Sequence, residues 1–245
     1  MSMTEEVLDE IERFQEVFEG NRRWVESRQS DFFERTSRTQ QPRYLFIGCS
    51  DSRVPAQDIT GLKTGELFVH RNIANTVIQS DVNLLSVVEF AVEHLHVRHI
   101  IVCGHSECGG VRAAMNRLDK GALSSWLGHI RDVHRLHLDE LSAIDNMEAR
   151  YRRLVELNVQ EQCINLFKMA VIQRSLRATG FPRIHGLVYD LKHGLLRELN
   201  VDFKSFRGRY GTIYEFYDDD NESHADLDAK GNTKAMTLPS SPSMH

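Results

Sequence analysis

Two short stretches of the chain concentrate side chains that bind metals. Gly48-Cys49-Ser50-Asp51-Ser52-Arg53 and Cys103-Gly104-His105-Ser106-Glu107-Cys108-Gly109-Gly110 each continue an apolar run that reads as a buried strand. His105 and Cys108 are spaced so that one tight turn can aim both at a single ion, with Cys49 supplied by a neighbouring strand end. Two thiolates and one imidazole make a Cys₂His zinc set with the fourth position open, a pattern of catalytic rather than structural sites. Spacing alone leaves a plainer reading open. H-x-x-C is common, Cys49 can be a small core residue, and Cys108 can pack a helix. In isolation, Asp51 and Arg53 read as an Asx turn and a surface arginine. Cys103 ends a strand and is expected to point to the face away from the metal set, and Cys163 sits in a helical pattern and reads as core. His94, His96, His99, His129, His134 and His137 lack ligand spacing to one another; any of them, or His70, is a candidate proton relay, and nothing in the sequence ranks them.

In parallel α/β sheets ligands collect at the carboxyl ends of the strands, so the elements around these stretches matter. Tyr44–Gly48, Glu66–His70 and His99–Cys103 read as strands, and Ile184–Tyr189 and Leu195–Leu199 pair around His193-Gly194 as a hairpin or crossover. Asp81 caps a helix with Leu84, Leu85, Val88 and Val92 on one face, and Gly109-Gly110 leads into a helix carrying Val111, Ala114 and Leu118. Longer helical patterns cover about 123–141 and 156–178. Val7, Leu8, Ile11, Phe14, Val17 and Phe18 recur at three- and four-residue steps, an amphipathic helix expected to end near Gly20. Strands alternating with helices predict an α/β fold with a mostly parallel central β-sheet flanked by helices. The expected organisation is one α/β domain over 1–217, with a helical arm over 1–36, followed by an acidic, disordered tail over 218–245.

Composition excludes several classes. At 245 residues and 41% hydrophobic, the chain is long enough to bury a core. The tail carries six acidic residues against Lys230 and Lys234, a net of −4, which leaves only −1 of the overall −5 for the body. A nucleic-acid binder would show a basic excess. No run approaches the roughly 18 apolar residues of a membrane span. The acidic opening MSMTEEVLDEIERFQ lacks an apolar segment, so neither a signal nor a transit peptide is read there, and a cytoplasmic protein is expected. Four cysteines are too sparse for a disulfide scaffold.

Three blocks carry a specific resemblance. Cys49-Ser-Asp-Ser-Arg-Val54, His70-Arg-Asn-Ile-Ala-Asn75 and Gly104-His-Ser-Glu-Cys-Gly-Gly110 resemble, in order and separation, the signature blocks of the β-class carbonic anhydrases, most closely the bacterial branch. The likeness extends over about residues 40–200. It implies one zinc ion per chain on Cys49, His105 and Cys108, and reversible hydration of carbon dioxide to bicarbonate and a proton by a zinc-bound hydroxide. Two thiolates neutralise the ion, and zinc lowers the pKa of its water from about 16 to about 7.

The resemblance also assigns supporting roles. Asp51 and Arg53 match a salt-bridged dyad in which the carboxylate accepts a hydrogen bond from the zinc-bound species. Gln40, nine residues before Cys49, matches a glutamine that donates to substrate or product, with Gln41 one place away. Gly109 and Gly110 let backbone N–H groups approach an anion, or else allow close helix packing. In some bacterial members the dyad breaks below neutral pH and the Asp becomes a fourth zinc ligand, a closed state favoured by bicarbonate in a side pocket. Gly48, Val54, Arg71 and Tyr189 match that pocket, while Phe46 stands where the branch often carries Trp. The family's unit is a homodimer or a dimer of dimers, with the N-terminal arm packed on a second subunit. The rival readings are a carbonyl sulfide or carbon disulfide hydrolase on the same scaffold and a non-catalytic zinc- or anion-binding protein.

Overall fold

Short apolar runs alternate with helical segments from Tyr44 onward, and the sheet is built from those runs. The computed structural model describes residues 3–116 and 121–217. The tail expected at 218–245, and Leu118 of the helix after Gly110, lie outside the described residues. Strands β1 (Tyr44–Cys49), β2 (Leu67–Asn72), β3 (His99–His105), β4 (Arg183–Asp190) and β5 (Leu195–Leu199) form one sheet in the order β2-β1-β3-β4-β5. The first four are parallel. β5 runs antiparallel to β4, so the pair around Gly194 is a hairpin, with Gly194 at φ 71° in the left-handed region its turn requires.

The helices are α1 (Met3–Glu26), α2 (Phe32–Arg38), α3 (Ala56–Thr60), α4 (Val82–Glu89), α5 (Gly109–Met115), α6 (Gly121–Leu136), α7 (Leu138–Ser142), α8 (Met147–Phe167), α9 (Ala170–Thr179) and α10 (Phe203–Tyr210). The Asp81 carboxylate caps α4 by accepting from the Asn83 amide. Three of the helical patterns differ from expectation at their boundaries. α1 does not end at Gly20 but continues to Glu26, because one interior glycine costs only about 1 kcal/mol and helix-compatible residues follow it. The pattern over 123–141 is interrupted at His137. The last pattern starts earlier, at Met147, where the Asn146 side chain accepts from the Ala149 amide, and it breaks at Met169, whose ψ of 134° is extended. At that break the Gln173 amide donates to the Phe167 carbonyl, satisfying a helix-end acceptor that periodicity cannot reveal.

Strand alternation divides the core in two. Leu45, Ile47, Cys49, Ile100 and Val102 pack with α4, α5, α6 and α8 on one face, while Phe46, Leu67, Ile101 and Cys103 form a smaller cluster on the other. Cys103 thus points away from the Cys49 face, and Cys163 lies in the main core. Helix α8 is buried nearly all round: Tyr151, Leu154, Leu157 and Leu166 are each no more than 2% exposed. Truncating any of these leucines to alanine would cost about 2–5 kcal/mol. By contrast, the apolar stripe of α1 faces outward, with Phe14, Val17 and Phe18 all at least half exposed.

Candidate metal centre

Parallel pairing of β1 with β3 sets Gly48 beside Cys103, so both strands end at the same edge of the sheet. Cys49 is the last residue of β1, His105 the last of β3, and Cys108 the residue that opens α5. Their ligand atoms all lie within 4.8 Å of one another, all three residues are buried, and the two sulfurs are 4.0 Å apart. The His105 Nδ1–H donates to the Ser106 carbonyl at 2.8 Å, which puts the proton on Nδ1 and leaves a lone pair on Nε2. That Nε2 is fully buried and has no hydrogen-bond partner among the described residues. An orphaned imidazole nitrogen converging with two thiols fits zinc, which would satisfy all three at once.

The two thiols are strongly unlike. Cys49 is pushed down to about 4, chiefly by the hydrogen bond from Cys108, whereas Cys108 is pushed up by donating that bond and by burial. The pair therefore retains one proton between them, which metal binding releases.

Asp51 and Arg53 meet at the rim. Arg53 Nε and Nη2 donate to Asp51 Oδ1 and Oδ2 at 2.9 and 2.7 Å, and the Arg53 amide also donates to Oδ1 at 3.0 Å. The Asx turn and the ion pair are thus both present. The guanidinium holds the Asp51 carboxyl well below the usual carboxylate range. Asp51 Oδ2 lies 3.8 Å from His105 Nε2, at the mouth of the three-ligand cluster. Arg53 Nη2 also donates to the Glu107 carbonyl at 3.1 Å, and Arg71 donates to the carbonyls of Cys49 and Asp51 at 2.8 and 2.6 Å, so both arginines brace the ligand-bearing turns.

The remaining expected residues are distributed unevenly. Gln40 is exposed, in the segment leading into β1, and no hydrogen bond joins it to Cys49, His105 or Cys108. Val54 is fully buried and Tyr189 half-buried. Gly48, Arg71 and Tyr189 share the sheet face that carries Phe46, and a Cβ on Gly48 would come within 2.3 Å of the Phe46 ring. For Gly110 the packing reading holds: a Cβ there would meet Ile73 Cγ2 at 2.7 Å.

Sequence reasoning missed a support beneath Cys108. The buried Tyr151 hydroxyl donates to the Cys108 carbonyl at 3.1 Å, and the Arg112 guanidinium lies 4.0 Å above the Tyr151 ring while pairing with Glu107 and Glu148. Tyr151 occupies a helix position that reads as ordinary core, so no spacing signal marks it.

Three buried donors, two at strand ends and one at a helix start, with an ionised carboxylate at their open side, define a zinc enzyme that activates water; a structural zinc site closes with a fourth protein ligand. The carbonic anhydrase family model matches residues 44–196, and the chain belongs to that family. It is 52% identical to the carbonic anhydrase of Emericella nidulans, over 81% of this chain and 88% of that protein. Identity to the Pseudomonas aeruginosa carbonic anhydrase is 36%, over 72% of this chain and 82% of that one. Among solved structures, the β-carbonic anhydrase CafA of Aspergillus fumigatus superposes with a TM-score of 0.76 at 36% identity, covering 82% of this chain and 99% of that one. One of two tetrameric β-carbonic anhydrases from Sordaria macrospora gives 0.73 at 37%, covering 77% and 98%. The protein is a zinc-dependent β-class carbonic anhydrase, interconverting carbon dioxide and bicarbonate. The expected kinship with the bacterial branch is corrected to a fungal one. The metal-site blocks misled here because zinc chemistry constrains them in any branch that performs it.

Proposed function

We propose that carbon dioxide hydration runs at the Cys49–His105–Cys108 centre, with Asp51 orienting the nucleophile, Arg53 holding Asp51, and Gln40 donating to substrate or product. When bound, zinc supplies a Lewis acid that brings the pKa of its water to about 7 and so furnishes a nucleophile at neutral pH. Cys49, His105 and Cys108 hold the ion, and the Ser106 carbonyl keeps the His105 proton on Nδ1. Asp51 stays ionised beside Arg53 and presents Oδ2 as an acceptor for the attacking oxygen's proton. The observation that carries this reading is the orphaned His105 Nε2 lying 3.8 Å from that carboxylate. Stopped-flow CO₂ hydration on zinc-quantified protein tests it. Activity that scales with zinc and collapses in Asp51→Asn is the expected result; one zinc per chain with no activity above buffer would favour a binding protein.

The working unit is proposed to be a homodimer or a dimer of dimers, which the exposed apolar stripe of α1 and the tetrameric state of the Sordaria macrospora enzymes support. Residues 1–217 are proposed to act as one domain. No helix among the described residues is long and apolar enough to cross a membrane, and the four free cysteines suit a reducing cytoplasm. Gly48, Val54, Arg71 and Tyr189 are proposed as a bicarbonate pocket favouring a closed state with Asp51 as fourth ligand; support comes from the bonds that tie Arg71 to the carbonyls of Cys49 and Asp51.

A further inference from the structure

The block His70-Arg-Asn-Ile-Ala-Asn75 supplies no metal ligand, yet its last residues form a turn directly behind Cys49. Ala74 is fully buried with φ 62° and ψ 33°, and Asn75 follows at φ 48°. Alanine rarely enters this left-handed region and has no polar side chain to bond locally, so its neighbours must hold it there. Three helices do so. From α8, Asn158 Nδ2 donates to the Ala74 carbonyl at 3.0 Å, and Gln162 Nε2 donates to Asn158 Oδ1 at 3.1 Å, which fixes the orientation of the Asn158 amide. From α6, Trp126 Nε1 donates to the Ile73 carbonyl at 2.9 Å. From α5, Gly110 lets the helix approach Ile73 and Ala74 more closely than any side chain would permit. The Asn72 side chain closes the turn by bonding both the amide and the carbonyl of Thr76 at 2.8 Å. The outcome of this bracing is one contact: the Ala74 N–H donates to Cys49 Sγ at 3.4 Å.

We propose that the Asn72–Thr76 turn is a strap whose purpose is to aim the Ala74 N–H at the Cys49 sulfur, setting how strongly that thiolate donates to the zinc ion. Asn158 and Trp126 are its positioning residues. An amide hydrogen bond withdraws electron density from a thiolate and fixes the direction of its lone pairs, and groups behind a ligand typically alter metal affinity by about 10–100-fold. The proposal rests on the zinc reading of the centre and extends it to residues that touch neither metal nor substrate.

The test uses the full chain, loaded either with zinc or with Co²⁺ in its place, in Asn158→Ala, Trp126→Phe and Ala74→Gly. Losing the N–H···S bond raises the energy of the sulfur lone pairs. The thiolate-to-cobalt charge-transfer band should therefore move to lower energy in the first two variants, and, with the Cys49 lone pair no longer aimed at the ion, zinc should pass to a chelator about tenfold faster. Ala74→Gly keeps the N–H and tolerates the left-handed conformation, so its band should match the wild type. Trp126 is only half-buried, so Trp126→Phe should fold and decides the matter even where Asn158→Ala does not. An unchanged band and release rate in folded Asn158→Ala and Trp126→Phe, beside a normally loaded wild type, would overturn the strap alone. A wild type that takes up neither metal would overturn the zinc reading and the strap with it.

Discussion

Asp51 and Arg53, two residues apart in sequence, face each other in two side-chain hydrogen bonds of 2.9 and 2.7 Å, and the carboxylate so held is the one that looks into the metal centre. Local chain geometry alone permits this pairing, since the same Asp51 oxygen also takes the Arg53 amide. Arg53 has more than half its side chain exposed, so solvent screens the pair and it adds little to stability. Its importance lies in the state and direction of Asp51. Arg53→Ala is expected to keep zinc and melt within a few degrees of wild type, while CO₂ hydration falls by about a hundredfold, in the range of losing a positioned acid–base group. Arg53→Lys should recover little of it, because an ammonium cannot make the two-pronged contact. An alanine variant with unimpaired turnover would remove the dyad from the mechanism.

The ligand set is tested one residue at a time. Replacing Cys49, His105 or Cys108 by alanine leaves two donors where three converge within 4.8 Å. Each variant is expected to lose most of its zinc by elemental analysis and all measurable hydration. Full zinc occupancy in Cys108→Ala would strike that residue from the set.

These two groups of residues were legible in the sequence because strand ends and tight turns are local. Three residues bring His105 to Cys108, and β1 pairs in register with β3, delivering Cys49 to the same edge. The supports were not legible. Tyr151 reaches Cys108 across 43 residues, Trp126 reaches Ile73 across 53, and Asn158 reaches Ala74 across 84. In a helical pattern each looks like any polar or aromatic residue, and only the packing of α6 and α8 against the sheet gives it a partner. The helix ends failed for a related reason: Gly20 is tolerated inside α1, and the break at Met169 is stabilised by Gln173, whose partners no periodicity displays.

Acid should weaken the fold through histidines as well as through zinc loss. Burial holds His70 below the ordinary imidazole range, against the pull of Asp81, and burial with the neighbouring His185 does the same for His99. Both groups resist protonation when folded. Their contribution is therefore intact above about pH 6.5, the unfolded value, and is lost as pH falls below it, because the unfolded chain then binds protons that the folded protein refuses. Melting temperatures of zinc-loaded wild type should drop between pH 7.5 and 5.5, and His99→Gln should drop less. Zinc release is common to both proteins and cancels in the difference. Equal drops would exclude His99 as a contributor.

The arm offers a test of assembly. Phe14 and Phe18 contact edge to face at 5.6 Å, yet both are at least half exposed, as is Val17 between them. Covering such a stripe contributes about 25 cal/mol for each Å² of apolar surface removed from water, which favours a partner chain. Deleting residues 1–26 is expected to lower the mass seen by light scattering to that of a smaller assembly. An unchanged oligomer would show that the interface lies elsewhere.

The pH profile of catalysis distinguishes an always-open centre from one that closes. Arg53 keeps Asp51 ionised far below neutrality, so protonation of Asp51 cannot supply a transition between pH 6 and 9. With the centre always open, the activated water alone titrates, near pH 7, and kcat/KM rises as a single ionisation. With closure, the ionised Asp51 would leave Arg53 for the ion at low pH, which draws the midpoint to higher pH; bicarbonate shifts the balance by its differential affinity, and closure shared among the sites of one oligomer makes the rise steeper than one proton allows. The second behaviour is expected here: low activity below about pH 7.5, near the zinc-water value, and a steep recovery above it. Val54 is fully buried and its amide donates to the Asp51 carbonyl at 3.1 Å, so Val54→Ala should loosen the turn that carries Asp51 and, if the proposed bicarbonate pocket operates, flatten the curve without removing zinc. A wild-type profile fitted by one ionisation, unmoved by added bicarbonate, would eliminate the switch and leave Asp51 with its single station beside Arg53.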